Sequence, residues 1–373
     1  MKILVYKYLE DLNPTGGSDG YCFNILQELK KRDEKSVCFL EGKVESKYEA
    51  NSLKKYFQTF HSLNGNNKTN VNFNEYDAVH FHSAKELYQE RKNLKGYKGK
   101  IIFTMHSPIP YHIEMVENIK KHHKFLGLFL RKHAFSKIDV YAFNRADVII
   151  LPCEEAEEAY YSHWKKYRKL HENNKDKYRY IPTGIVGAKA KIDAKEYRKS
   201  IGYSDDDFII SYVGRHNEVK GYDRIIKVCE LLNNENIKFL VAGKEEPIKG
   251  PNYNNWKEIG WTNDPYSLIN ASNVFILPNR ETYFDIVLLE VLSLGKECLI
   301  SRTGGNKVIL SNNCNGIYGF DNEKECAETI GKLFNKKHSF ECNNAIVELF
   351  EKNYSIEFFV DKYLELLKEI AED

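Results

Sequence analysis

Short apolar runs alternate with longer stretches of helical periodicity along most of the chain. The runs are rich in Val, Ile and Phe, and polar or glycine-containing turns follow them. Strands of a parallel sheet have this composition because both of their faces are buried. The runs predicted to form strands are Lys2–Tyr8, Val37–Leu40, Ala78–His82, Ile101–Met105, Val148–Pro152, Phe208–Val213, Phe239–Ala242 and Cys298–Ser301. Strands that alternate with helices predict an α/β protein.

A polar, glycine-containing loop follows the first predicted strand, and a helix is predicted after it over residues 21–32. Gly16 and Gly17 lie in this loop, where the lack of a Cβ lets the backbone approach a ligand closely. The amino terminus of the next helix favours anions. This order is typical of the first unit of a dinucleotide-binding α/β fold, and a plain turn is the alternative.

Three histidines lie near the ends of predicted strands in the first half of the chain. His80 and His82 are two residues apart, so they share one face of a strand. No third ligand stands at the spacing of a metal site, and we therefore predict no metal. His106 ends another predicted strand at the edge where open α/β sheets bind ligands. A purely structural His106 is the alternative.

The strand predicted over 208–213 is followed by a loop that contains two cations. Arg215 projects from the strand end, Lys220 lies at the end of the loop, and a helix is predicted to begin at Tyr222. Two cations next to a helix amino terminus form a diphosphate site, in which Arg binds by its bidentate fork and Lys as a point charge. A surface pair at a turn is the alternative.

The segment from Pro278 to Gly305 contains a helix predicted over Asp285–Leu294, apolar except for a glutamate and a serine. We expect this helix to be buried, with Asp285 as its N-cap and Gly295 as its stop. The glutamate, Glu290, is costly to bury without a partner. Ligand hydroxyls and a salt bridge to a neighbouring Lys or Arg are the two alternatives for that partner.

Taken in order, these motifs resemble family 4 retaining glycosyltransferases of the GT-B fold. Gly214-Arg215, four residues and Lys220-Gly221 match that family's motif completely, and the segment 181–185 (IPTGI) is similar to its hinge. The resemblance covers nearly the whole chain and is strongest from about residue 208 to 310.

This resemblance implies two Rossmann-like domains that face each other across a cleft, which the length of 373 residues accommodates. Residues 1–185 correspond to the acceptor-side domain and residues 186–355 to the domain that binds the nucleotide sugar. The amphipathic helix predicted over Ile356–Ala371 corresponds to one that packs back on the first domain, so residues 356–373 are expected there.

The resemblance also assigns roles to individual residues. It implies that His106 and either Glu281 or Thr282 contact the transferred sugar, and that Glu290 holds the ribose hydroxyls. The residues it places at the donor are Gly16, Gly17, Arg215, Lys220, Tyr283, Phe284, Asp285 and Glu290.

The chain departs from the family pattern at two positions. The family has a pair of glutamates separated by seven residues; counting back from Glu290 gives Thr282, and Glu281 stands one residue early. Asp285 occupies the position at which the family usually has Gly. We therefore expect an altered donor preference.

The implied activity is the transfer of a sugar, with retention, from a UDP- or GDP-sugar to a saccharide or glycolipid acceptor in surface polysaccharide or glycoconjugate synthesis. Neither a metal nor another cofactor is expected. Two alternatives stay open: a catalytically weak GT-B accessory subunit that binds a partner or acceptor, and a different GT-B enzyme such as an epimerase or phosphorylase.

Composition bears on location and partners. A net charge of +2 does not indicate a nucleic-acid partner, and the eight scattered cysteines, with no CxxC pair, fit a reducing cytosol. No apolar run approaches the ~18 residues of a spanning helix, so we predict a cytoplasmic protein. Residues 118–137 hold six Lys or Arg and no acid around an apolar core, which predicts peripheral membrane contact or a crossover helix with a solvated basic face.

Overall fold

The computed structural model describes residues 1–12, 17–41, 71–120, 135–336 and 339–372, without the side chains of 116–120. Within these ranges the chain divides into two compact units. Unit 1 comprises Met1–Pro182 with Val360–Asp373, and unit 2 comprises Thr183–Phe359. The last helix of the chain begins in unit 2 and continues in unit 1.

Unit 1 is built on a parallel sheet of six strands, in the order β2-β1-β3-β4-β5-β6. The strands are β1 (Ile3–Tyr8), β2 (Val37–Leu40), β3 (Ala78–Phe81), β4 (Lys100–Thr104), β5 (Val148–Leu151) and β6 (Tyr178–Tyr180). The described helices that lie between them are α1 (Gly17–Lys31), α2 (Ala84–Gln89), α3 (Tyr111–Lys120), α4 (Ser136–Arg145), α5 (Glu158–His163) and α6 (Tyr167–Asn174).

Unit 2 is also built on a parallel six-stranded sheet, in the order β12-β11-β10-β7-β8-β9. The strands are β7 (Phe208–Val213), β8 (Ile237–Ala242), β9 (Trp256–Gly260), β10 (Val274–Leu277), β11 (Cys298–Ser301) and β12 (Ile317–Phe320). The helices are α7 (Ala194–Ser200), α8 (Tyr222–Leu232), α9 (Pro265–Ala271), α10 (Ile286–Ser293), α11 (Asn306–Ser311), α12 (Glu323–Asn335), α13 (Asn344–Asn353) and the last, α14 (Ile356–Glu372).

Burial of the central strands follows the apolar runs of the sequence. All four residues of β3, β5, β10 and β11 are buried, as expected for parallel strands that helices cover on both faces. The core of unit 2 joins the strands of its own sheet to one face each of α8 and α12, through side chains such as Ile225, Val228 and Ile330. The α/β prediction is confirmed for both units.

The basic and aromatic run over 164–179 contains the short helix α6, whose basic side chains are mostly exposed. Its aromatic side chains Trp164, Tyr167 and Tyr178 are buried around Phe143. Aromatic side chains on a short helix supplied enough apolar surface to outweigh the many lysines, whose charged ends stay in water.

The predicted membrane-contact segment, residues 118–137, lies largely outside the described residues. Among the helices that the structure does describe, none is both long and apolar enough to cross a bilayer.

Candidate functional site

The chemistry-bearing loops of unit 2 lie at one edge of its sheet. Strand β10 pairs in parallel with both β7 and β11, so the carboxyl ends of all three strands meet there. Residues 214–221 follow β7, residues 278–285 follow β10, and residues 302–305 follow β11. Ligands of open α/β sheets bind at this edge.

Gly221 brings the first two of these loops into contact. It has a left-handed backbone (φ 66°), and a Cβ built on it would lie 2.1 Å from the carbonyl oxygen of Pro278. A glycine is therefore required for this close approach. The neighbouring amide of Arg280 donates to the carbonyl oxygen of Val219 at 3.0 Å, which ties the loops together.

The two predicted phosphate-binding cations lie in different surroundings. Arg215 is exposed, and no carboxylate in the described part of the chain pairs with it. The Nζ of Lys220 lies 2.5 Å from Oδ1 of Asp285, and both side chains are largely buried. Oδ2 of Asp285 accepts hydrogen bonds from Thr282 Oγ1 at 2.6 Å and from the side-chain amide of Asn279.

This pairing explains a partial error in the predicted capping of α10. Asp285 does occupy the N-cap position, and Gly295 ends the helix with a positive φ of 64°, both as predicted. The carboxylate of Asp285, however, accepts no hydrogen bond from the first turn of the helix. Lys220, Asn279 and Thr282 hold it instead, and a charge-assisted bond to a lysine is stronger than a cap.

The partner of Glu290 was missed by the sequence analysis. Tyr266, in the first turn of α9, donates its hydroxyl to Oε1 of Glu290 at 2.9 Å. Burial raises the pKa of Glu290, and the hydrogen bond from Tyr266 partly opposes this shift. The predicted salt bridge to Lys or Arg is absent among the described contacts of this carboxylate. The Asp264-Pro265 helix start, which fixes Tyr266 in the first turn, was the available signal.

The loop that carries Glu281, Thr282 and Tyr283 is held from below by two glycines. A Cβ on Gly304 would lie 2.0 Å from the carbonyl oxygen of Thr282, and one on Gly305 would lie 2.4 Å from that of Tyr283. The Thr282 side chain is buried, whereas Glu281 and Tyr283 are half-buried. The hydroxyl of Thr282 donates to Asp285, and the half-buried Glu281 supplies a second carboxylate in the same loop.

Phe284 differs from its neighbours in this loop. Its side chain is buried, and its ring packs against Tyr354 with centroids 5.9 Å apart. The side chain therefore packs in the interior of unit 2.

In unit 1 the predicted glycine loop is only partly described. Gly16 lies outside the described residues, and Gly17 is the first residue of α1, with φ 62° and open space around a Cβ. The helix thus begins four residues before the predicted start at Tyr21. Ser18 and Asp19 belong to its first turn, because polar residues at a helix start favour helix rather than loop.

His106 belongs to a network of three imidazoles at the carboxyl end of β3 and β4, in which His80 and His82 are buried and His106 is half-buried. Its Nε2 lies 2.9 Å from Nδ1 of His82, and its ring packs edge-on against Tyr21. The rings of His80 and His82 are 4.0 Å apart, on one face of the strand as predicted. Burial lowers the pKa of His106 to about 3, and that of His80 likewise, so these rings are neutral.

The far end of this network reaches the last helix of the chain. Nδ1 of His80 lies 2.8 Å from the hydroxyl of Tyr363 on α14, and Nε2 lies 2.8 Å from Oγ1 of Thr104. Tyr363 is 283 residues away in sequence, and no local signal pointed to it. Within the described ranges no group of three metal-ligating side chains occurs.

Residues 193–348 match the family model described as Glycosyl transferases group 1. This range holds every unit 2 motif from Gly214 to Gly305, so the resemblance inferred from the sequence is confirmed there.

Two curated proteins illustrate the similarity. UDP-Gal:alpha-D-GlcNAc-diphosphoundecaprenol alpha-1,3-galactosyltransferase of Escherichia coli is 28% identical over 155 residues, which is 37% of this chain and 40% of that protein. The capsular polysaccharide biosynthesis glycosyltransferase CapM of Staphylococcus aureus is 29% identical over 41% of this chain and 43% of its own. The matches thus span about two fifths of these relatives' length.

Solved structures show the same fold over the whole chain. Sucrose-phosphate synthase from Thermosynechococcus elongatus superposes with a TM-score of 0.67 at 14% identity, covering 100% of this chain and 99% of that one. HepE of Anabaena in complex with UDP gives a TM-score of 0.65 at 14% identity, covering 99% and 100%. The two Rossmann-like units therefore form the GT-B fold.

Proposed function

We propose that this protein, whose residues 193–348 match the glycosyl transferases group 1 model, is a retaining glycosyltransferase. The donor is a UDP- or GDP-sugar, and the acceptor is a saccharide or a glycolipid. One observation carries the proposal: Arg215 and Lys220 lie in the loop after β7, and Glu290 lies in α10, the helix that begins after the loop following β10, all within the range that matches the family.

The charges at this edge suit a leaving nucleoside diphosphate. Negative charge develops on the diphosphate as the bond to the sugar breaks, and fixed cations stabilise it without a metal. Arg215, exposed and unpaired among the described residues, supplies a bidentate fork, and Lys220 supplies a second cation. Metal independence is therefore part of this proposal.

Glu290 is suited to bind a diol. Its Oε1 accepts the Tyr266 hydroxyl, which fixes the carboxylate, and the remaining oxygen has acceptor capacity for ribose hydroxyls. In the other unit, the bond between His106 Nε2 and His82 leaves Nδ1 of the neutral His106 ring for a hydroxyl of the transferred sugar. The resemblance also implies that Glu281 and Tyr283 contact the donor.

The acceptor class rests on the relatives. The Escherichia coli relative is named for a diphosphoundecaprenol-linked acceptor, and the Staphylococcus aureus relative for capsular polysaccharide synthesis. We therefore place the activity in surface polysaccharide or glycoconjugate synthesis, at the cytoplasmic side of a membrane. Contact through the basic segment 118–137 stays a prediction from sequence.

A second candidate is a catalytically weak accessory subunit. Two observations favour it: Lys220 is already paired with Asp285, and Thr282 holds the position of the family's first glutamate.

Thermal stabilisation by nucleotides separates the two candidates. At ~100 times its dissociation constant a ligand adds about 2.7 kcal/mol to the free energy of unfolding. We expect stabilisation by UDP or GDP in the wild type, loss of it in Arg215→Ala and Glu290→Ala, and retention in the control Lys238→Ala, in the interior of β8. No stabilisation by either nucleotide or by their sugars refutes the transferase proposal and supports the accessory one. Product analysis by NMR then tests retention at the anomeric carbon.

A further inference from the structure

We propose that Asp285 is a built-in anion that occupies the phosphate-binding position of Lys220 and limits how tightly the protein binds its donor. The inference rests on the proposed function and deepens it, since it names the residue of the donor site that tunes affinity for the diphosphate. It makes Asp285 a specificity-determining residue.

The carboxylate of Asp285 is held by three donors from three positions. Lys220 Nζ lies 2.5 Å from Oδ1, while Thr282 Oγ1 and the amide of Asn279 both donate to Oδ2. Asn279 is fully buried, Thr282 is 3% exposed, and the Asp285 side chain is 13% exposed. Partners so well shielded from water hold a carboxylate more firmly than a surface ion pair does.

The backbone fixes this arrangement. Gly221 packs its Cα directly against the Pro278 carbonyl, and the Arg280 amide is bonded to Val219. The Lys220 amide also donates to the side chain of Asn217 at 2.9 Å. The backbone at Lys220 therefore cannot move away from the loop that carries Asp285 without breaking these contacts at Val219 and Gly221.

A carboxylate oxygen and a phosphate oxygen make the same demands: a nearby cation and hydrogen-bond donors. Asp285 already accepts from all three donors, Lys220, Thr282 and Asn279, and it neutralises the charge of Lys220. A nucleoside diphosphate that approaches Lys220 must either share it with Asp285, at the cost of like-charge repulsion, or displace the carboxylate. In both cases the negative charge of Asp285 weakens binding of the diphosphate.

The isosteric change Asp285→Asn separates charge from shape. An asparagine oxygen can still accept from Thr282 and Asn279, whereas its amide frees Lys220. We expect Asp285→Asn to bind UDP or GDP at least about tenfold more tightly by calorimetry, with uridine or guanosine affinity unchanged. Glu230→Gln is the control, because it removes the same charge from a 3.0 Å ion pair with Lys227 in the same unit, in the second half of α8. It should change the affinity less than about twofold.

A double-mutant cycle tests whether the gain acts through Lys220. In a Lys220→Met background, Asp285→Asn should raise UDP affinity by clearly less than it does with Lys220 present, because only the direct repulsion between the carboxylate and the diphosphate is then relieved and no cation is freed. Circular dichroism and the melting temperature verify folding, and Asp285→Gly provides a second variant if Asp285→Asn folds poorly.

The outcomes distinguish this inference from the proposed function. If the wild type binds UDP or GDP and both Asp285 variants bind it no more tightly, Asp285 positions Lys220 rather than competing with the donor, and the inference is wrong. A gain of undiminished size in the Lys220→Met background also overturns it. If no variant binds any nucleotide, the donor site itself, and with it the proposed function, is refuted.

Discussion

Replacement of Gly221 by alanine perturbs the contact on which the unit 2 site is built. The backbone of Gly221 has φ 66°, a left-handed conformation that costs an alanine about 1–2 kcal/mol. The added Cβ would also lie 2.1 Å from the Pro278 carbonyl oxygen and 2.7 Å from its carbonyl carbon. Backbone atoms cannot rotate away as a side chain can, so the loop after β10 must shift, which adds about 1–3 kcal/mol.

Comparison with Gly202→Ala isolates the cost of the steric clash from the cost of the left-handed backbone. Gly202 lies in the same unit with φ 81°, and a Cβ there would meet nothing within 4 Å. Both substitutions share the backbone cost and the small gain from a stiffer unfolded chain. We therefore expect Gly221→Ala to lower the free energy of unfolding by about 1–3 kcal/mol more than Gly202→Ala does.

Urea unfolding followed by tryptophan fluorescence measures this difference. Trp256 and Trp261 lie in unit 2, and Trp164 lies in unit 1, so a Trp164→Phe background restricts the signal to unit 2. A unit-specific signal is needed because a chain of two units does not have to unfold in one step. Equal losses of stability in Gly221→Ala and Gly202→Ala would show that a Cβ next to the Pro278 carbonyl does not destabilise the protein, and would refute the proposed requirement for glycine at position 221.

Two further predictions follow from polar groups that are wholly or partly shielded from water. Tyr266→Phe leaves the half-buried Glu290 without its phenol donor, so urea unfolding should show that the free energy of unfolding falls by about 1–3 kcal/mol. The exposed control Tyr253→Phe, which removes a hydrogen bond to Glu230, should show no measurable change, and equal effects would contradict the role of burial. Partial burial lowers the pKa of His106 from 6.5 to about 3, so the unfolded chain binds the proton first and stability falls as the pH drops from about 6.5 towards 3. His106→Gln should lessen this slope by up to about 1.4 kcal/mol per pH unit, and an unchanged slope would refute a neutral ring.

Several elements could be predicted because their signals are local. The strands Val37–Leu40, Phe208–Val213 and Cys298–Ser301 have the predicted bounds, since a short apolar run between turns has few other ways to bury both faces. The start of α8 at Tyr222 and the end of α10 before Gly295 could also be predicted, because a glycine next to a helix often adopts the left-handed conformation that ends or precedes it. The GT-B fold followed from this alternation together with the resemblance.

The partners of the candidate site residues could not be predicted in this way. Glu290 was expected to bind ligand hydroxyls or a Lys or Arg, and its hydroxyl partner Tyr266 lies 24 residues earlier in the chain. Asp285 was expected to cap its own helix, but Lys220, 65 residues away, holds its carboxylate.

The sequence by itself determined most of the strands, the start of α8 and the residue types gathered at the edge of the unit 2 sheet. Periodicity, glycine placement and motif spacing act over a few neighbouring residues and are therefore visible in one dimension. Only the tertiary structure decided that Asp285 neutralises Lys220 and that His80 bonds to Tyr363. These pairings depend on which loops the parallel strands bring side by side and on how closely glycines such as Gly221 let the loops approach. This geometry exists only in the folded chain.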